Sequence, residues 1–258
     1  MFSGAGTTPL VIAHRGSSAT MPEHTLDAYR QAIDEGADGL ECDVRLTRDG
    51  HLVCIHDGRL DRTSDGRGRV SAATLGDLER LNFGDHRSGR VLSARILTLD
   101  RLIETALDAG RPLRLLIETK HPSRYGSAVE RKVVELLDRY GLADPDASGS
   151  VRVAVMSFSP LAVRTIRALA PGVPTVFLYE FAPPRIRDGR APFGAQIVGP
   201  GIGVLRARPD VVERAHDRGL QVYVWTVNQP ADVDLVLDLG VDALISDRPA
   251  YVLARLGR

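Results

Sequence analysis

Gly39-Leu40-Glu41-Cys42-Asp43-Val44-Arg45-Leu46-Thr47-Arg48-Asp49-Gly50-His51-Leu52-Val53-Cys54-Ile55-His56-Asp57 is the stretch on which the fold turns. It opens with an apolar run of strand length that has two carboxylates set into it. Side chains alternate along a strand, so Glu41 and Asp43 share a face while Cys42 points the other way. Only Leu46-Thr47-Arg48-Asp49-Gly50-His51 separates this run from the next, which leaves no room for a crossover helix. Asp49-Gly50 is a preferred two-residue hairpin turn. With Arg48 paired to His51, the antiparallel register sets Asp43 opposite His56 and returns that histidine beside the carboxylates.

Outward from this hairpin the chain repeats strand, amphipathic helix, glycine, strand. Upstream, Pro9–His14 is a first strand. A helix over Thr25–Glu35 follows, with Leu26, Tyr29 and Ile33 on one face, Thr25 as N-cap and Gly36 as its stop. Downstream, runs of strand length occupy Leu113–Lys120, Val151–Phe158, Thr175–Glu180, Gln196–Gly199, Gln221–Val227 and Asp242–Ser246. Helical periodicity around Leu99–Leu107 ends at Gly110, and that of Val129–Tyr140 ends at Gly141. Ser159-Pro160 opens a helix through Leu169, while Pro209 and Pro230 open two that end near Gly219 and Gly240. With Gly39–Arg45 this makes about eight parallel strands, the number that closes a barrel.

Strands covered on both faces explain runs that are continuously apolar. The expected fold is therefore an α/β, TIM-type (β/α)8 barrel with a small insertion after the second-strand hairpin. A doubly wound open sheet competes, but no Gly-rich dinucleotide loop follows the first strand. The insertion, residues 58–95, is polar and glycine-rich with one amphipathic stretch at Leu75, Leu78 and Leu81. A connection of that size is expected to cover one edge of the site. Residues 1–258 are read as a single domain that includes it.

Composition narrows the class. At 258 residues and 43% hydrophobic, the chain can bury one large core. Its 33 basic and 33 acidic residues cancel, leaving no overall field for nucleic acid or an anionic membrane. Met1–Thr8 lacks the charged and apolar regions of a signal peptide, and no apolar run is long enough to cross a bilayer. Two cysteines, Cys42 and Cys54, cannot staple a chain of this size. The expectation is a cytoplasmic protein acting on a small molecule, without a membrane anchor or a nucleic-acid partner.

The chemistry gathers at strand ends. His14-Arg15 closes the first run, and Glu118 with Lys120 closes Leu113–Lys120. Together with Glu41, Asp43 and His56 they are the parts needed for metal-assisted cleavage of a phosphate ester. Three carboxylates without a cysteine or histidine partner favour Mg2+ or Ca2+ over zinc. Such an ion binds a phosphoryl oxygen and stabilises charge that grows during attack. Arg15 can share that charge through its fork of donors and Lys120 as a point charge. Two histidines can divide the proton work, one serving the nucleophile and the other the departing alcohol.

Bland readings exist for each residue alone. His14 and His56 could be satisfied core histidines, Arg15 a counterion of Glu41, and Glu118 and Lys120 partners of each other. Two histidines ending apolar strands on the side where barrel active sites lie argue against the first. Trp225, the only tryptophan, fits either an apolar wall for the substrate or core packing. Glu23 fits either a contact to metal or substrate or a place in the first helix turn. His24, His51, His86, His121 and His216 are assigned to surface or loops. Gly199-Pro200-Gly201-Ile202-Gly203 is read as a turn, because no Lys-Ser/Thr follows to make a phosphate loop. No Gly-x-Ser-x-Gly elbow is present for serine hydrolase chemistry.

As an ordered set, these residues resemble the glycerophosphodiester phosphodiesterase family. The resemblance rests on His14-Arg15-Gly16, Pro22-Glu23-His24-Thr25-Leu26, Glu41-Cys42-Asp43-Val44, Thr47-Arg48-Asp49-Gly50, His56-Asp57 and Arg62-Thr63. It continues through Glu118-Thr119-Lys120, Ser157-Phe158, Val224-Trp225-Thr226-Val227-Asn228 and Ser246-Asp247-Arg248-Pro249, so it spans almost the whole chain. It implies a TIM-type barrel that hydrolyses glycerophosphodiesters to glycerol phosphate and an alcohol. It also implies a divalent ion on Glu41, Asp43 and Glu118, His14 and His56 as the acid/base pair, and a small cap domain matching the insertion. Two positions depart from the family pattern: His24 stands where asparagine is usual, and Leu97-Thr98-Leu99 where proline-threonine-leucine is usual.

Three rivals follow from the same residues. A phospholipase D-like or lysophospholipase D-like enzyme would call for a wide apolar mouth around Trp225, Phe158 and the insertion. A metal-dependent sugar isomerase would have little use for Arg15 or two spaced histidines. A catalytically dead barrel that binds the same ligands is disfavoured because every expected catalytic position is filled.

Overall fold

Alternate residues of each barrel strand face the helices, and the residues between them fill the interior. The computed structural model describes residues 8–84, 93–144, 149–181 and 190–258. Its strands are β1 (Leu10–His14), β2 (Gly39–Leu46), β3 (Leu52–Cys54), β4 (Leu113–Thr119), β5 (Val151–Ser157), β6 (Thr175–Tyr179), β7 (Ile197–Pro200), β8 (Gln221–Val224) and β9 (Ala243–Ser246). They run in the order β1-β9-β8-β7-β6-β5-β4-β2-β3, and a β1–β2 pairing closes the ring. All strands but β3 are mutually parallel, whereas β3 lies antiparallel on β2. This is the eight-stranded (β/α) barrel expected from the sequence, and closure excludes the open sheet.

The α-helices among the described residues are α1 (Leu26–Asp34), α2 (Leu75–Leu78), α3 (Leu99–Leu107), α4 (Ala128–Arg139), α5 (Pro160–Leu169), α6 (Ile202–Ala207), α7 (Asp210–His216), α8 (Pro230–Asp238) and α9 (Pro249–Arg255). Thr25, Thr98 and Ser159 cap α1, α3 and α5 by accepting from the N–H of Ala28, Arg101 and Ala162. Leu40, Cys42, Val44, Leu115, Ile117 and Val155 pack outward on Tyr29, Leu102, Ile103, Val133 and Leu137. Ile12, Leu116, Met156, Val176, Leu178, Tyr223 and Ile245 fill the barrel itself. Burying each such side chain contributes roughly 1.5–3 kcal/mol. Gly16, at φ +86°, lets the turn after His14-Arg15 pass beneath α1, since a Cβ there would meet Ala28 at 2.7 Å.

Two local expectations are corrected. The hairpin pairs Val44 with Cys54, Arg45 with Val53 and Leu46 with Leu52, so Asp43 lies opposite Ile55, whose N–H donates to the Asp43 carbonyl. The Thr47 N–H donates to the His51 carbonyl and closes a three-residue loop, Arg48-Asp49-Gly50, with Gly50 at φ +83°. The Thr47 hydroxyl fixes this longer loop by donating to Asp49 Oδ1 and accepting from the His51 N–H. One added loop residue slips the register by one. His56 therefore reaches the site from the loop beyond β3. The second correction concerns Gly199–Gly203, which ends β7 and begins α6, with Gly201 as the N-cap. The glycines there conceal a short helix.

Between β3 and α3, the described residues of the insertion build a small core of their own. Leu60, Val70, Leu78, Phe83 and Ile96 pack on Val53 and Ile55 of the hairpin. Thr74 and Asp77 form a reciprocal capping box at α2, within the amphipathic Leu75–Leu81 stretch. Residues 85–92, with His86, and residues 1–7 lie outside the described residues. No helix among the described residues is long and apolar enough to cross a membrane.

Candidate active site

Register brings the polar residues together at one end of the barrel. His14 pairs with Glu41 across β1–β2, and Asp43 pairs with Glu118 across β2–β4. His14 ends β1 and Glu118 lies one residue from the end of β4, so the pairing places all four at the C-terminal mouth of the barrel, where barrel active sites form. One ligand atom from each of Glu41, Asp43 and Glu118 lies within 4.8 Å of the others, and all three side chains are buried. Lys120 Nζ sits 2.8 Å from Glu118 Oε1 and 3.3 Å from Asp43 Oδ1. The Arg15 backbone N–H donates to Glu41 Oε2 at 3.1 Å, and its guanidinium Nε lies at an ion-pair distance of 3.1 Å from Asp43 Oδ2. Arg15 holds φ +59°, a left-handed conformation that a non-glycine residue keeps only when its surroundings impose it.

Both predicted catalytic histidines are held by a carboxylate. His14 Nδ1 is 2.5 Å from Asp247 Oδ1, and its Nε2 faces Glu41 Oε2 at 4.0 Å. His56 Nδ1 is 2.8 Å from Asp57 Oδ1. An ionised carboxylate accepts from Nδ1–H, which leaves Nε2 of the neutral ring to exchange a proton with a ligand. Asp247 is itself fixed by donors from Asn228 Nδ2 at 2.6 Å and Ser18 Oγ at 3.1 Å.

Electrostatics of the cluster follow from burial and repulsion. Burial, then the neighbouring Asp43 charge, pushes the Glu41 carboxyl well above the usual range and that of Glu118 up to about 8. Burial acts on Asp43 in the same sense, but His24, Lys120 and Arg15 outweigh it and hold that carboxyl well below its usual value. Burial lowers His56 from its ordinary value against the pull of Asp43.

A cavity of about 250 Å3 opens over this cluster. His14, Arg15, Glu41, His56, Glu118 and Lys120 line one arc, and Met156, Phe158, Leu178, Trp225 and Ile245 line much of the rest. Trp225 thus belongs to the wall, with its Nε1–H bound to the Gly199 carbonyl at 2.9 Å. Glu23 does not line the cavity. Its carboxylate accepts from Arg15 Nη1 at 3.1 Å and from both terminal nitrogens of Arg62 at 2.7 Å.

His24 is a correction. Assigned to surface or loops, it sits in the turn before α1 but is buried there at φ +60°, with Nε2 2.9 Å from Asp43 Oδ2 and Nδ1 2.8 Å from the Tyr29 hydroxyl. Tyr29 in turn donates to the Glu41 carbonyl. The left-handed backbone turns the ring inward, which a helix-entry sequence such as Pro22-Glu23-His24-Thr25 does not announce. His121 is also less exposed than expected, its Nε2 lying 2.7 Å from the fully buried Glu130. His216 closes helix α7 beside Asp242, and His51 is exposed in the hairpin loop. Sequence reasoning also passed over Asp57, Arg62, Asn228 and Asp247 as working residues. The available signal was their place in ordered polar motifs just beyond strand ends.

Comparison with known proteins fits this arrangement. A family model described as "Glycerophosphoryl diester phosphodiesterase family" matches residues 14–251. A Mycobacterium tuberculosis protein named "Probable glycerophosphodiester phosphodiesterase 1" is 47% identical over 96% of this chain and 92% of its own length. A Caldanaerobacter subterraneus glycerophosphodiester phosphodiesterase is 32% identical over 95% of this chain and 96% of its own. Among solved structures, an Oleispira antarctica phosphodiesterase in complex with the product sn-glycerol-3-phosphate superposes with a TM-score of 0.84 at 25% identity, covering 97% of each chain.

Proposed function

The chain belongs to the glycerophosphoryl diester phosphodiesterase family, and from that premise we propose that it hydrolyses glycerophosphodiesters to glycerol phosphate and an alcohol by metal-assisted, two-histidine catalysis. The observation that carries this reading is the convergence of Glu41, Glu118, two cations and two carboxylate-held histidines on one cavity, with the buried Asp43 within 4.8 Å of both carboxylates. The solved relative with sn-glycerol-3-phosphate supports the choice of product.

The donor set fits a hard divalent ion. Three carboxylates crowded within 4.8 Å oppose one another's ionisation, and an oxygen-preferring ion would relieve that repulsion and hold all three ionised. We assign Glu41, Asp43 and Glu118 as the residues that would hold Mg2+ or Ca2+. Such an ion, when bound, supplies Lewis-acid stabilisation of phosphoryl charge. Arg15 and Lys120 face the same cavity and hold the phosphate's remaining charge. His14, oriented by Asp247, takes the proton of the nucleophile, and His56, oriented by Asp57, protonates the departing alkoxide. Water and the substrate's own glycerol hydroxyl both fit as that nucleophile. Met156, Leu178 and Trp225 give the carbon skeleton an apolar wall, and Glu23 serves as a support for Arg15. The insertion acts as a cap within the same domain.

A cavity of about 250 Å3 falls just below the range of sites for drug-sized ligands and suits a short diester better than a lysolipid. The test is a panel of glycerophosphodiesters and lysolipids, assayed for glycerol phosphate and free alcohol before chelation, after it, and with Mg2+ or Ca2+ restored. Loss and recovery of small-diester turnover is expected. Full activity after exhaustive chelation would defeat the metal assignment, and preference for lysolipids would favour the phospholipase D-like alternative.

A further inference from the structure

We propose that Arg62, carried by the insertion, is a positioning residue that sets His56 and Arg15 together. Its guanidinium lies between two carboxylates. Nε donates to Asp57 Oδ2 at 2.7 Å and Nη2 to Asp57 Oδ1 at 3.1 Å. Nη1 donates to Glu23 Oε2 and Nη2 to Glu23 Oε1, both at 2.7 Å. Four of the five N–H donors of the fork are thereby used on two paired contacts, a geometry that lysine cannot reproduce.

Each carboxylate then passes the constraint inward. Asp57 Oδ1 meets His56 Nδ1 at 2.8 Å, and Glu23 Oε1 meets Arg15 Nη1 at 3.1 Å. A continuous chain of charged contacts therefore runs from His56 through Asp57, Arg62 and Glu23 to Arg15 and on to Asp43, while the Arg15 backbone N–H reaches Glu41. Its middle member comes from the insertion, so seating of the insertion and orientation of both phosphate-facing groups are one event. The charges that act on the His56 ring are Asp57 on its own loop, which contacts it, and Asp43 on β2, Arg15 after β1 and Lys120 after β4. Arg62 neutralises the first of these. Without it, Asp57 would place its whole charge on His56 and favour the imidazolium.

The inference rests on the reading of His56 as an acid/base group, but its readout does not need turnover. The His56 ring is titrated by NMR, its resonance assigned with H56A, in the wild type, R62Q, D57N and R62Q/D57N. R62Q is expected to raise the His56 pKa by about one unit, D57N to lower it, and R62Q to add nothing on the D57N background. R62K, which restores the charge without the fork, is expected to return the pKa most of the way while kcat stays about tenfold low, because Arg15 and His56 are no longer held together. An unmoved His56 pKa in R62Q, or equal shifts with and without Asp57, overturns the proposal and leaves Arg62 as a stitch between insertion and barrel. Failure of the functional reading looks different: H56A would keep its turnover. Should R62Q not fold, the comparison of R62K with wild type decides alone, since full kcat in R62K overturns the proposal.

Discussion

The two arcs of the barrel mouth obey one alternation rule and reach opposite chemistries. At the mouth of the barrel, β1, β2 and β4 and the residue after β4 present His14, Glu41, Asp43, Glu118 and Lys120; from β5 onward, Met156, Leu178, Trp225 and Ile245 form most of the wall, joined by Glu180 and Thr226. The register even sets Glu118 directly beside Met156. A buried methionine needs no partner, whereas a buried carboxylate must find cations and donors or give up its charge. That difference accounts for the surroundings of each arc. Behind the charged side lie His24, Tyr29, Glu23, Arg62, Asp57 and Asp247, while the apolar side rests largely on packed hydrocarbon, with the Trp225 indole bonded to the Gly199 carbonyl. Such a division suits a diester whose phosphate faces one arc and whose carbon skeleton rests on the other.

The largest effect is expected from the charged arc's histidines. H14A and H56A should each lower kcat by about 10²–10⁴-fold with thermal unfolding close to wild type, because the proposed mechanism asks each ring for proton transfer and neither belongs to the packed core. Turnover within a few fold of wild type would remove that histidine from the mechanism. Next comes K120M, which carries the apolar solution across the boundary. It strips Asp43 and Glu118 of a cation 3.3 and 2.8 Å away, and should cost about 3–5 kcal/mol of stability in urea denaturation. Saturating Mg2+ or Ca2+ should recover much of that loss. If K120M is as stable as wild type without any ion, the account of the charged arc as a self-neutralised cluster fails.

The division between arcs also explains how much was legible in advance. Barrel closure could be anticipated because the apolar runs and the capping residues Thr25 and Ser159 are local signals, and eight such runs admit few arrangements. Glu41 and Asp43 stood out because carboxylates interrupt a buried strand. The supporting layer was harder. His24 reaches Asp43 only because its backbone adopts φ +60°, and Asp247 meets His14 from a position 233 residues away. Neither periodicity nor composition carries such closures. The hairpin register failed for a related reason: Asp49-Gly50 is as good a signal for a two-residue turn as for part of a three-residue loop, and the Thr47 hydroxyl decides between them.

Glu23 tests whether this supporting layer has energetic weight of its own. Burial opposes its ionisation, yet Arg62 and Arg15 hold its carboxyl from 4.5 down to about 2. A carboxylate with a depressed folded-state pKa contributes stability that is fully present above its unfolded value and is lost as pH falls through the folded one. The window is therefore pH 4.5 to about 2, and the contribution is at most about 3 kcal/mol. E23Q should be less stable at pH 7 and lose less on acidification, so that its urea midpoint converges with wild type near pH 2. Parallel curves down to that pH would show that Glu23 adds no pH-linked stability.

The apolar arc should respond more weakly. W225A removes part of the wall proposed for substrate carbon and should raise KM for a small diester about tenfold with kcat nearly unchanged, as expected for the loss of uniform binding. Phe158 is the finest probe, because it stands where the arcs meet. Its ring meets Trp225 edge-on at 5.3 Å and 84°, while Lys120 Nζ lies 5.8 Å from its centroid. Both contacts use the ring's quadrupole and are each worth about 0.5–1 kcal/mol at a partly exposed site. F158A should therefore raise KM about two- to fivefold. F158L separates the two possible causes, since leucine restores apolar volume without a quadrupole. If F158L regains the wild-type KM, Phe158 belongs to the hydrocarbon wall alone. If KM stays raised in F158L as in F158A, the aromatic face is what links Trp225 to Lys120, and the boundary between the arcs is itself built rather than incidental.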